Sequence, residues 1–170
     1  GVGGEGGGVG VGARRVRWLW VESGDWPGRG GNNIQVMFKS GDDLRQDQMT
    51  LQVLRIMKKI WVIEGVDMRL TPYGCVSTGD ELGMLELVLD SATVNDIIEK
   101  KGTFGAFNET SISSWLHDHN KTPSEWRRAL QNFVHSCAGY SVALYVMGVG
   151  DRHTDHMMVK PDGPLPLPYT

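Results

Sequence analysis

The sequence predicts an α+β chain in two lobes, a small antiparallel sheet with one main helix followed by a helical lobe. Three observations predict it. Short β-type runs crowd the first half, joined by connections too short for crossover helices, which is a meander pattern. From Asp90 onward apolar residues recur at helical spacing instead. Between the two lies a linker around Leu87 to Ser91, and the second half carries one conspicuous polar loop, GDRHTDHMMVK, at Gly150 to Lys160.

Residues 1–16 begin with a tract of Gly and Val holding a single Glu, too poor in packing side chains to repay the entropy of ordering. It lacks the context of a strand feeding a turn, so its glycines do not make a phosphate loop, although Arg14 and Arg15 supply basic charge. The run RWLWV at Arg17 to Val21 predicts a first strand and Ile34 to Lys39 a second. Helical spacing of Leu44, Leu51, Leu54, Met57, Ile60 and Trp61 predicts a helix from Asp43 to about Trp61, with Ser40 or Asp42 as its cap. Short strands follow at Met68–Leu70, Cys75–Ser77 and Met84–Leu89, separated by the turns PYG and TGDELG.

Three helices are predicted in the second half, at Ser91–Glu99, Ser111–His117 and Pro123–Val146. The last has the strongest start signal, with Thr122 as N-cap, Pro123 at the first helical position and Glu125 completing a capping box. Trp126, Ala129, Leu130, Phe133, Val134, Cys137 and Ala138 are its expected apolar stripe, and beyond them the helix is apolar almost all round, which predicts a buried central helix.

Composition narrows the function. The 170 residues suffice for one domain or part of a larger one, and the net charge of -3 offers no basic field for nucleic acid. Cys75 and Cys137 lie far apart without metal-site spacing, as expected of packed thiols in a reducing compartment. No apolar run reaches the length of a membrane span, which predicts a soluble intracellular protein whose membrane contact is peripheral.

Two segments carry chemistry. In FKSGDDLRQDQMTLQ, Phe38 to Gln52, a lysine at a strand end meets carboxylates at the turn and in the first helical turn. Such a lysine is a ligand for anionic phosphate, and a carboxylate can hold it in place; the plainer reading of SGDD is a helix-capping turn. In the GDRH loop, His153 has a pKa range suited to taking a proton from an alcohol, and Asp151 can orient it. Arg152 either binds phosphate or braces the loop. The plainer reading of that triplet is a charged surface turn.

FKSGDDLRQD, TPYGC at Thr71 to Cys75, and SCAGYSVALYVMGVGDRHTDHMMVK at Ser136 to Lys160 together resemble the catalytic domain of phosphatidylinositol 3-kinases, in order and with matching spacing, over about Trp18 to Gly163. The resemblance implies an incomplete protein-kinase-like fold: N-lobe 17–88, partial C-lobe 89–163, and a divergent tail 164–170. It implies transfer of a phosphoryl group from ATP, with Mg2+, to the inositol 3-hydroxyl of a phosphoinositide lipid at a membrane surface. It also implies a cytoplasmic protein recruited to membranes, with a regulatory subunit or upstream domains as partners.

Residue by residue, the resemblance makes Lys39 the phosphate-contacting lysine and Asp42, Asp47 and Tyr73 the polar lining of the inner ATP pocket. Glu86 and Val88 become the linker residues whose backbone holds adenine, and Met158 its apolar floor. His153 becomes the general base, with Asp151 its partner and Arg152 beside them. His117, His119 and His135 match nothing catalytic and are expected on helix surfaces. TPYGC and GDRHTD resemble class I enzymes; VDMRL, Ser77 to Gly79 and GTFGAF with SWLHDHN resemble class II, toward which the balance leans.

Two departures bear on activity. His156 stands where the family has an asparagine that binds magnesium, and imidazole suits zinc or copper better than a hard cation. The family's DFG motif, source of its other magnesium carboxylate, is replaced by PLPLPYT, whose alternate prolines exclude a central strand ladder. Without metal ligands, charge neutralisation at the transferred phosphoryl group is lost. The expectation is a chain that is inactive or nearly so by itself, with a non-catalytic nucleotide- or partner-binding product as the alternative.

Overall fold

The structure is a computed structural model that describes residues 15–21, 34–100, 110–150 and 157–166, with side chains from residue 35 onward. Two compact units are present, one formed by the described residues of Gly1–Gln52 with Tyr73–Leu87, the other by Val53–Pro72 with those of Val88–Thr170.

The first unit is a four-stranded antiparallel sheet with the start of a long helix. Its elements are β1 (Arg15–Val21), β2 (Ile34–Ser40), α1 (Arg45–Ile63), β3 (Cys75–Gly79) and β4 (Leu82–Glu86), in sheet order β1-β2-β4-β3. Period-two alternation sorts the faces: Cys75 and Leu85 are buried, whereas Val76, Leu82 and Met84 on the same strands are exposed. Met37, Leu44, Leu51 and Tyr73 join the buried set, and a fully buried leucine stabilises by about 1.5–3 kcal/mol. Gly83 lets the entry to α1 lie against the sheet. A Cβ there would stand 2.6 Å from Leu44 Cδ1 and 2.7 Å from the Val76 carbonyl oxygen.

Ahead of α1 it is the Asp43 side chain that meets the helix's first residue. Asp43 accepts from the Arg45 backbone N–H at 3.1 Å and chelates the same residue's guanidinium, while Asp42 turns to Lys39. Met84–Leu89 ends as a strand at Glu86, and the predicted strand Met68–Leu70 does not form. Among the described residues no strand pairs with that segment. Its end is held by α4 (Pro123–Met147), whose Tyr140 hydroxyl accepts from the Thr71 N–H at 3.1 Å, and Thr71 makes a single bridge to Pro166.

In the second unit, β5 (Ala92–Thr93) pairs antiparallel with β6 (Met158–Val159), and the helices are α2 (Val94–Glu99), α3 (Ser111–His119) and α4. The helix predicted from Ser91 starts later because Thr93 is its N-cap and forms a reciprocal capping box with Asp96. The Thr122–Glu125 capping box of α4 is present, and the helix stops at Gly148 in the left-handed conformation, φ +69°. Val94, Ile97, Leu116, Ala129 and Val159 form one buried cluster, with Phe133 and Trp115 packed against it.

Of the expected stripe of α4, Ala129 is buried, Trp126, Leu130, Phe133 and Cys137 are half-buried, and only Val134 and Ala138 are exposed; the part beyond it, expected to be buried all round, buries one face only. Ala129, Ser136, Gly139, Tyr140, Ala143 and Leu144 are buried, whereas Val134, Val142 and Val146 are exposed and Tyr145 is 86% exposed. Small residues decide the face because they admit close approach. A Cβ at Gly139 would stand 2.7 Å from Met68 Cβ. Residues 164–166 also lie in the core: Leu165 is 6% exposed, and Ser136 both donates to its carbonyl at 3.3 Å and accepts from its N–H at 2.9 Å. Asn132 and Asn120 donate to the carbonyls of Asp162 and Pro161, so side chains do for this proline-bearing segment what a neighbouring strand does elsewhere.

Neither Cys75 nor Cys137 is in a disulfide; the Cys75 thiol donates to the Leu44 carbonyl at 3.9 Å, and burial pushes the Cys137 thiol above its usual range. His117, His119 and His135 are exposed on their helices, with the His119 Nδ1 2.8 Å from the Trp115 carbonyl. Among the described residues no helix is long and apolar enough to cross a membrane.

Candidate functional site

In the first unit, β2 delivers Lys39 to the sheet's end, paired with Val16 on β1 and Gly83 on β4. The chain then reverses at Gly41, whose φ of +88° is a conformation that only glycine adopts without strain. The Gly41 N–H donates to the Glu81 carbonyl at 2.8 Å, which anchors the reversal to the β3–β4 hairpin. Asp42 is thereby carried back over Lys39, and Nζ donates to Oδ2 at 3.1 Å, the two side chains being 14% and 22% exposed. A half-buried ammonium directed by a carboxylate is a suitable counter-charge for an anionic phosphate. One residue on, Asp43 is held down to about 2 by the Arg45 side chain and N–H that bind it.

Asp47 is half-buried in the first turn of α1, where its charge suits the helix dipole. Next to it Gln48 accepts from the Ser77 N–H at 2.9 Å and ties α1 to β3. Tyr73 is buried, 4% exposed, immediately before Gly74. Gly74 is the partner of Glu86 twice over: its N–H donates to the Glu86 carboxylate at 2.6 Å, and its carbonyl accepts from the Glu86 N–H at 2.7 Å. The Leu87 N–H donates to the Gln35 carbonyl at 2.8 Å, so the end of β4 is held from both sides up to the point where the chain passes into the second unit.

In the second unit Val88 and Met158 are brought together by a residue that sequence patterns did not single out. The Ser91 hydroxyl lies 2.9 Å from the Val88 carbonyl oxygen and 3.5 Å from the Met158 Sδ. Met158 is buried at the start of β6 opposite Thr93, and its neighbour Met157 accepts from the Val94 N–H at 2.7 Å. Ser136 and the Glu86 side chain were likewise unforeseen. A serine inside the apolar helix run was the one available signal for Ser136.

Asp151, Arg152, His153 and His156 lie outside the described residues. Among the described residues no group of three or more His, Cys, Asp or Glu is placed to hold a metal ion.

In the first unit, the strand-end lysine braced by a carboxylate is a group whose charge suits an anionic phosphate. The sequence profile of the family described as phosphatidylinositol 3- and 4-kinase matches residues 33–166, and the chain belongs to that family, which is one of lipid kinases. Among curated relatives, it is 50% identical over 134 residues to phosphatidylinositol 3-kinase 1 of Dictyostelium discoideum, covering 78% of this chain and 8% of that protein. It is 52% identical over 133 residues to phosphatidylinositol 3-kinase 2 of the same organism, covering 78% of this chain and 7% of the relative. To the human phosphatidylinositol 4-phosphate 3-kinase C2 domain-containing subunit beta it is 48% identical over 133 residues, 78% of this chain and 8% of that one. The chain therefore spans less than a tenth of the length of these relatives.

Proposed function

We propose that this chain is part of a phosphatidylinositol 3-kinase catalytic domain that binds ATP and does not by itself transfer its phosphoryl group. The half-buried Lys39–Asp42 pair, set at the end of β2 by the Gly41 turn, is the observation that carries the nucleotide half of the reading. In this reading 17–88 is the N-lobe and 89–163 the partial C-lobe. Lys39 neutralises a phosphate of ATP while Asp42 fixes its direction, and Asp47 and Tyr73 line the inner end of the same pocket. The backbone of Glu86 and Val88 receives adenine above Met158. In the whole enzyme His153, oriented by Asp151 and flanked by Arg152, takes the proton of the inositol 3-hydroxyl, and the phosphoinositide is met at a membrane surface by a cytoplasmic protein.

Magnesium is the poor fit. The family places an asparagine where this chain has His156, and a neutral imidazole is a weak ligand for a cation that demands oxygen donors in octahedral geometry. What this chain's residues supply is binding and orientation, and the non-catalytic, nucleotide- or partner-binding reading rests on that same His156.

Two measurements on the purified chain test both halves. Titration with ATP is expected to show saturable binding that Lys39→Met weakens about tenfold or more, in line with loss of a charge-assisted contact; absence of ATP binding refutes the nucleotide reading. Incubation with ATP, Mg2+ and phosphatidylinositol vesicles is expected to leave the lipid unphosphorylated, and appearance of 3-phosphorylated lipid refutes the claim of inactivity.

A further inference from the structure

We infer that Ser91 is a positioning residue for purine recognition, because its hydroxyl holds the Val88 carbonyl and the Met158 thioether in one arrangement before a nucleotide arrives. The inference rests on the nucleotide reading above and extends it to a residue with no assigned role. A serine hydroxyl has one proton. Here it faces two acceptors, the Val88 carbonyl oxygen at 2.9 Å and the Met158 Sδ at 3.5 Å, and the carbonyl is both nearer and the stronger acceptor. The oxygen's remaining side then rests against the thioether. The contact spans 67 positions of sequence, so it joins the linker exit to a strand that is distant along the chain.

The backbone around Ser91 is arranged to keep the hydroxyl there. Asp90, at φ +51°, turns the chain in the left-handed region, which aspartate visits more readily than most residues. Ala92 and Thr93 then pair with Val159 and Met158, and the Val94 N–H reaches the Met157 carbonyl at 2.7 Å. Met158 is thus fixed at its backbone by the ladder, and its sulfur packs against the Ser91 oxygen at 3.5 Å. Methionine is otherwise the most adaptable of apolar side chains, with three rotatable bonds, and a floor made of it needs such a restraint to present one shape. Setting both contacts in advance removes ordering that binding would otherwise have to supply.

The test uses the 170-residue chain with Ser91→Ala and Ser91→Thr, titrated calorimetrically with ATP, adenosine and inorganic tripolyphosphate, and with methyl-labelled methionine followed by NMR. Ser91→Ala is expected to lose roughly three- to tenfold in affinity for ATP and adenosine alike, the size of one hydrogen bond's net effect. Tripolyphosphate affinity stays unchanged, and Ser91→Thr, which keeps the hydroxyl, restores binding. The Met158 methyl resonance shifts in Ser91→Ala before any ligand is added. Wild-type affinity for ATP and adenosine in Ser91→Ala overturns the inference alone. So does an equal loss for tripolyphosphate, which marks a general disturbance of the fold. A wild-type chain that binds neither ATP nor adenosine overturns the nucleotide reading together with the inference.

Discussion

Replacing Ser136 by alanine is expected to destabilise the second unit out of proportion to the single oxygen removed. Ser136 is fully buried, with 0% exposure, and its hydroxyl serves Leu165 in both directions, accepting from the N–H at 2.9 Å and donating to the carbonyl at 3.3 Å. The two losses are unequal. The Leu165 carbonyl keeps the Thr71 hydroxyl as a donor at 3.3 Å, whereas the Leu165 N–H loses the acceptor shown for it while its residue stays 6% exposed. Leaving a buried donor unsatisfied costs about 1–3 kcal/mol, while removing one of two donors to a carbonyl costs about 0.5–1.5 kcal/mol, so the N–H dominates. Ser136→Ala should therefore lose about 2 kcal/mol, Thr71→Val about 1 kcal/mol, and the double variant more than the sum, because the carbonyl then loses both donors. Urea unfolding gives these values from midpoint shifts at constant slope. Amide exchange at Leu165 should accelerate in Ser136→Ala and not in Thr71→Val. A Ser136→Ala chain within about 0.3 kcal/mol of wild type, or a strictly additive double variant, refutes the reasoning.

Two further outcomes follow from the geometry. Gly83→Ala should destabilise by about 1–3 kcal/mol, since the new methyl meets the rigid Val76 carbonyl at 2.7 Å as well as the movable Leu44 side chain; an unchanged urea midpoint contradicts it. Glu125 is held below the usual carboxylate range first by its side-chain hydrogen bond with Thr122 and then by the Thr122 N–H, and Asp43 is lowered to about 2 chiefly by Arg45. A depressed folded-state pKa contributes stability that is present above the unfolded value and is lost as pH falls through the folded one. Acidification from about pH 5 should therefore loosen the first turn of α4, and Glu125→Gln should remove that pH dependence, read by amide exchange at Glu125.

Local signals were legible wherever cause and effect lie within a few residues. The capping box of Thr122 and Glu125 acts over three positions and requires nothing from the rest of the chain, and it stands as the sequence predicts. The first two strands and the Cys75 and Met84 strands also answer to local alternation, with ends displaced by a few residues. Legibility failed at Met68–Leu70 and in part along α4, at Val134 and Ala138 and on the exposed side of its apolar end. An apolar triplet looks like a strand until its neighbour proves to be a helix with Gly139 at the contact, and hydropathy names Val134 a core residue where Ser136 is.

The candidate site divides in the same way. Lys39 and Asp42 were readable because a glycine turn joins residues three apart, whereas the family resemblance proposes a common role for Val88 and Met158 without saying what couples them. Sequence alone determined the family, the order of elements and the residue types available for phosphate and purine contact, because motifs and periodicities are properties of neighbouring positions. Tertiary structure decided which face of α4 is buried, that residues 164–166 belong to the core, and that Ser91 and Ser136 hold partners 67 and 29 positions away. A serine's role depends on which acceptor or donor folding brings within about 3 Å of its hydroxyl, and no pattern of adjacent residues encodes that distance.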